Sequence, residues 1–194
     1  MSWLLLKNSL VFAGLATLLA LVAGLVSGVF LLACGARVRR FGLAVGIVTL
    51  ALPPFLVANC WLDLLGQTGG WRAWLPVNMY DLRSAATVMG LLLWPIPMFA
   101  SLVAWLRLEP EHFEVEPQLR GRQLVRHLLL PAAGPLASAS AVLVFVLALA
   151  NFAIPALFQV RVFTAEIWLR FSTNYDEWGA LLASLPVVAV PVLG

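Results

Sequence analysis

Titratable side chains crowd into one stretch of this sequence. Among its 12 Lys and Arg and 9 Asp and Glu residues, Arg107, Glu109, Glu111, Glu114, Glu116, Arg120, Arg122 and Arg126 fall close together, with His112 and His127 interspersed. Carboxylates at this density beside an imidazole could serve a hard divalent cation as oxygen ligands. No fixed spacing organises them, however, and a solvated acidic loop is the simpler account. Other catalytic equipment is missing. A phosphate-binding Gly-x-x-x-x-Gly-Lys-Ser/Thr loop requires a lysine, and the only one, Lys7, stands in a segment without glycine. Two histidines and two cysteines, with no His-Glu-x-x-His and no close Cys pair, give a zinc site no support. The expectation is a chain with no metal, no cofactor, no ATPase site of its own and no enzymatic activity.

The elements that carry these residues follow from composition. The 194 residues are 62% hydrophobic and 11% charged, against roughly 25% charged for an average soluble domain, and the mean hydropathy is +0.98. This is the composition of a membrane protein. Uncharged runs cover 8–36, 41–62, 84–106, 128–160 and 178–194, and about 20 apolar residues cross a hydrocarbon core as a helix. The runs are continuously apolar where barrel strands would alternate. The expected fold is therefore all-α, a polytopic transmembrane helical bundle of five spans forming a single domain over 1–194. The fifth run, 178–194, is short, and the domain is expected to continue past Gly194. A net charge of +3 does not point to nucleic acid, because the cations lie between the runs instead of along one face.

Orientation rests on those cations. Arg37, Arg39, Arg40, Arg107, Arg120, Arg122 and Arg126 fall on one side, and Lys7, Arg72, Arg83, Arg161 and Arg170 on the other. The richer side is expected to be cytoplasmic, which puts the amino terminus outside the cell inner membrane. Trp61, Trp71, Trp74, Trp168 and Trp178 then belong at the outer headgroup level and Trp105 at the inner one. Lys7 alone precedes the first run and cations follow it, the pattern of an uncleaved anchor. Cys34 and Cys60 lie toward opposite faces, too far apart to bridge, and read as packing residues. Pro53-Pro54, Pro95, Pro97, Pro155, Pro186 and Pro191 are expected to bend their spans. No Asp, Glu, Lys or Arg interrupts a run, so a proton-coupled carrier and a membrane-embedded enzyme both lack their working groups. Any energy for transport must come from a partner.

The charged stretch has helical order at its end. Gly121, Leu124, Val125, Leu128 and Leu129 form one apolar stripe, while Arg120, Arg122, Gln123, Arg126 and His127 cover the other side. The glutamates ahead favour the amino end of such a helix, Pro117 suits its first turn, and Pro131 is expected to bend the chain into the fourth span. Taken alone, this is a membrane-hugging connector with arginines among anionic lipid heads. Farther on, Phe163, Ile167 and Phe171, with Glu166 and Arg170 spaced to pair, fit a short surface helix or a solvated connector.

A loop after a proline-bearing span, with glutamates, a Gly-containing amphipathic helix and then Leu130-Pro131, resembles the Glu-Ala-Ala loop of binding-protein-dependent ABC transporter permeases. Glu114 or Glu116, Gly121, Leu130 and Pro131 take the corresponding places. The loop is a degenerate form, since Glu114 is followed by Val115-Glu116 and Glu116 by Pro117-Gln118 where the family has two alanines. Lys7-Asn8-Ser9, LALPPFLVAN at 50–59, and NFAIPALF at 151–158 followed by TAEIWLRFS are similar to the ferric-iron and thiamine-type branch, so the likeness covers nearly the whole chain. It implies the permease subunit of an ATP-driven importer for a small solute, ferric iron or a related small ion or cofactor. The implied partners are cytoplasmic ABC ATPase subunits gripping 109–127, a second permease copy or half, an external solute-binding protein on 63–83 and 161–177, and membrane lipid. Glu114, Glu116, Gly121, Leu130 and Pro131 would couple to the ATPase; Asn151, Phe152 and Pro155, at mid-depth in the fourth span, would line the path. A non-transport membrane scaffold, or a degenerate permease paralogue without ATPase coupling, is the rival reading.

Overall fold

Small side chains decide how this chain packs. The first helix, α1 (Trp3–Ala33), buries Phe12, Ala13, Ala16, Ala20, Gly24, Gly28 and Leu31, a stripe at helical spacing. Its other face exposes Leu4, Val11, Leu18, Val22, Val26 and Phe30. The computed structural model describes residues 3–75, 77–108 and 122–166, Arg122 by its backbone alone.

The small stripe receives α4 (Leu82–Leu93), α5 (Pro95–Leu106) and a later helix, α7 (Leu130–Ala150). A Cβ at Gly24 would stand 2.5 Å from Pro97 Cγ and 2.7 Å from the Trp94 carbonyl oxygen, and one at Gly28 would stand 2.6 Å from Ser101 Oγ. Backbones approach this closely only where no side chain intervenes, the device by which helices associate without a hydrophobic drive between them. Gly90 of α4 faces Ala16 and Leu19, Gly24 faces Pro97 and Gly28 faces Ser101 and Trp105, so α4 and α5 run parallel to α1.

Proline sets the bends. α2 (Ala36–Ala51) and α3 (Pro54–Leu65) meet at 99°. Leu52 and Pro53 are extended, and Pro54 opens α3 where its missing N–H is not needed. The 40° bend between α4 and α5 falls at Trp94, ahead of Pro95 and Pro97. Asp81 caps α4, its Oδ1 accepting from the Ser84 N–H at 2.7 Å. The cations between the first two uncharged runs lie on a helix: α2 begins at Ala36, so Arg37, Arg39 and Arg40 lie within its first turns.

After α5 the description resumes at α6 (Arg122–Leu124), a π turn (Val125–Leu129) and α7, then α8 (Ala153–Leu157). Pro131 does not bend the chain here, because Val125–Ala150 runs as one 26-residue helix. The wider turn accommodates it. Leu130 N–H reaches back to the Val125 carbonyl, which loosens the register where the proline ring would crowd the preceding turn.

The architecture among the described residues is an all-α bundle. α1 and Val125–Ala150 are each long and apolar enough to cross a membrane, and there are up to four such segments if each bent pair is one span. The expected fifth span, 178–194, lies outside the described residues. The fourth is shorter than its uncharged run, since helix stops at Ala150 instead of continuing toward 160. Two apolar cores result: one gathers Phe12, Met89, Ile154 and Phe158, the other Leu31, Met98, Leu102, Trp105 and Leu129. Cys60 joins neither; it is exposed, contrary to a packing role, and Cys34 is half-buried.

Candidate functional site

Trp105 turns into the bundle near the end of α5. It is 3% exposed, and its Nε1 donates to the Leu129 carbonyl at 2.7 Å. Its ring fits because Gly28 of α1 leaves room for it. A buried indole N–H requires an acceptor, and the π turn supplies one. α1, α5 and the π turn thus meet at one point, and the 107–127 connection leaves and re-enters the bundle beside it.

The assigned coupling group divides at this stem. Leu130 and Pro131 follow Leu129 directly and are exposed, whereas Glu114, Glu116 and Gly121 lie outside the described residues, as do His112 and the glutamates around it. Gln123, Arg126 and His127 are exposed, Leu124, Val125 and Leu128 half-buried and Leu129 buried. Among the described residues no group of three or more His, Cys, Asp or Glu is placed to hold a metal ion.

The proposed path residues stand at a helix end instead of mid-span. Asn151 ends α7 in an extended conformation, and its Oδ1 accepts from the Ile154 N–H at 3.0 Å, opening α8. Pro155 is buried within α8. Phe152 is 40% exposed and lines a cavity of about 500 Å³ with Phe55, Asn59, Ala153, Ala156, Leu157 and Ala165. α8 then closes with Val160 N–H on the Pro155 carbonyl at 2.8 Å and Gln159 N–H on the Ala156 carbonyl at 3.1 Å. These are the paired bonds of a Schellman ending, and Gln159, at φ 55°, occupies the left-handed position where glycine is usual.

The strand of chain beyond α8 is tied to the start of α1. Asn8 Nδ2 donates to the Arg161 carbonyl at 3.1 Å. Ser9 Oγ donates to the Leu5 carbonyl at 3.0 Å while accepting from the Phe163 N–H at 2.8 Å. Phe163 is therefore an internal anchor, 4% exposed; Ile167, Arg170 and Phe171 of the expected surface helix lie outside the described residues. Sequence reasoning missed Ser9 and Trp105, whose partners are backbone groups remote in the chain. It also passed over Ala16, Ala20, Gly24 and Gly28, although their four-residue spacing signals a close helix contact.

The arrangement therefore joins three features: the stem of the 107–127 connection at one end of α1, a kinked helix pair along it, and a tied turn at its other end. No protein-family model matches the chain, and no curated protein is detectably similar to it.

Proposed function

We propose that the chain is a permease subunit of an ATP-driven importer, multi-pass in the cell inner membrane with its amino terminus outside. In this reading five spans surround half of a path, and a second permease copy or half completes it. Cytoplasmic ABC ATPase subunits grip the 109–127 segment through Glu114, Glu116 and Gly121, and an external binding protein delivers a small solute. The observation that carries the reading is the Trp105–Leu129 tie. A connection that must transmit a push needs both ends anchored in the bundle, and this bond holds the two ends of 107–127 together at a buried point against α1. Closure of paired ATPases would then move α5 and α7 as one body against α1, the rigid-element switching that alternating access requires. The sparse ionisable groups inside the long apolar segments agree with an energy source outside the chain.

The test is co-purification of an ABC ATPase with the tagged chain from native membranes. Association is expected with the parent chain and lost in the Glu114→Lys, Glu116→Lys double variant. Undiminished association in the double variant overturns the assigned contact, and no associated ATPase at all favours the scaffold reading. Orientation is checked separately: with Cys34 and Cys60 replaced by serine, a cysteine placed at the exposed Gln123 should resist a membrane-impermeant thiol reagent added outside.

A further inference from the structure

Two cavities meet beside α8. One, of about 650 Å³, is lined by Leu4 and Leu5 of α1 and by Gln159, Arg161 and Glu166 from the chain beyond α8. The other, of about 500 Å³, has Phe55, Phe152 and Leu157 in its walls. Ala156 and Ala165 line both, so an ionic compartment and an apolar one adjoin across two small side chains. That division matches an amphiphile.

We propose that this pair of cavities binds one glycerophospholipid whose zwitterionic headgroup ends in a primary ammonium. The phosphate lies on the Arg161 guanidinium, whose fork of donors suits phosphate oxygens. The ammonium lies on Glu166, and an acyl chain enters the apolar compartment beside Phe55 and Phe152. Glu166 already interacts within the chain, but a carboxylate offers several acceptor positions and an ammonium needs only one of them.

The ionic compartment is built on a fixed base. Asn8 holds the Arg161 carbonyl, Ser9 holds the Phe163 N–H, and Gln159 is locked left-handed by the Schellman bonds. Such a base lowers the ordering cost of binding. Its level is also right: Lys7 marks the start of the uncharged run 8–36, so Leu4, Leu5 and Arg161 stand where an apolar stretch of spanning length ends and headgroups begin. A soluble zwitterion would fill the ionic compartment and leave the apolar one empty, whereas a lipid fills both.

The test uses the whole 194-residue chain, delipidated in detergent and mixed with phosphatidylethanolamine, phosphatidylcholine or free phosphoethanolamine, with bound lipid read by native mass spectrometry. Phosphatidylethanolamine is expected to bind about tenfold more tightly than phosphatidylcholine, whose quaternary ammonium has no N–H for Glu166. Free phosphoethanolamine should not displace it. Arg161→Gln should weaken binding about tenfold or more, with Arg161→Lys, which keeps the charge but not the fork, restoring only part of it, and Glu166→Gln should abolish the headgroup preference. Ala156→Leu should block the junction between compartments. Displacement by free phosphoethanolamine at matching concentration overturns the lipid assignment in favour of a solute site. Binding indifferent to Arg161→Gln reduces the lipid to a non-specific shell and overturns the site. If Ala156→Leu does not yield monodisperse protein, the Arg161→Gln and Arg161→Lys pair decides alone, since that side chain is exposed. None of these readouts depends on an ATPase or on transport.

Discussion

Trp105 and Leu129, 24 residues apart, are joined by a buried hydrogen bond from the indole Nε1 to the backbone carbonyl at 2.7 Å. The bond fastens the last turns of α5 to the π turn that opens the long helix. Trp105→Phe keeps most of the ring volume and removes the donor, so one buried hydrogen bond is lost at a cost of about 0.5 to 1.5 kcal/mol. A lower thermal unfolding midpoint in detergent is expected, together with faster proteolysis within 107–127 as the stem loosens. An unchanged midpoint and unchanged proteolysis would show that the tie carries no load.

Two glycines of α1 should respond to the same substitution with opposite signs. At Gly24 an added methyl meets the Trp94 carbonyl, the Met98 amide nitrogen and the Pro97 ring, whereas at Gly14 nothing lies within 4 Å. Gly24→Ala must push α5 away, a cost of about 1 to 3 kcal/mol for overpacking. Gly14→Ala adds only helix propensity, a gain of about 0.5 to 1 kcal/mol. Thermal midpoints of the two variants should fall on either side of the parent. Destabilisation of equal size at both positions would mean that the α1–α5 contact is not the cause.

What could be read from residue types was set by long-range composition. The uncharged run from 8 to 36 marks α1, and the stripe of Leu124, Val125, Leu128 and Leu129 marks the side that turns inward, because burial follows the helical period. The stop at Ala150 was not legible. Residues 128–160 carry no charge, and the break depends on Asn151 offering its side-chain oxygen to Ile154, a choice that composition does not record. The burial of Trp105 was not legible for a related reason: an amphipathic indole is equally at home among headgroups or on a buried carbonyl, and the carbonyl it bonds is presented only once the π turn forms. Ser9 likewise bonds a backbone amide 154 residues away, beyond the reach of any local pattern. Glu114, Glu116 and Gly121 remain a reading of sequence alone.

Asn151 should behave as a capping residue. Replacing it with alanine removes the acceptor for the Ile154 N–H and should cost about 1 kcal/mol, whereas Asn151→Asp retains the oxygen and should restore stability. Ile154 is fully buried, so loss of the cap also disturbs the core around Phe12 and Met89. The measurement is thermal unfolding of the parent and both variants under one detergent condition. If alanine and aspartate are equally destabilising, the side-chain oxygen is not what holds α8.

Gln159 pays a backbone penalty that glycine would not. At φ 55° its Cβ crowds the neighbouring carbonyl, a cost of roughly 1 kcal/mol for an L-residue in the left-handed region. The Schellman bonds at Pro155 and Ala156 hold it there, and both survive substitution because they use backbone groups. Gln159→Gly should therefore raise stability by up to about 1 kcal/mol, while Gln159→Val, branched at the strained Cβ, should lower it. The lipid affinity of the adjoining cavity gives an independent reading: it should follow Arg161 far more than Gln159, because an amide contributes a weaker bond to phosphate than a guanidinium does. A glycine variant that melts lower than the parent would mean that the left-handed turn is not under strain.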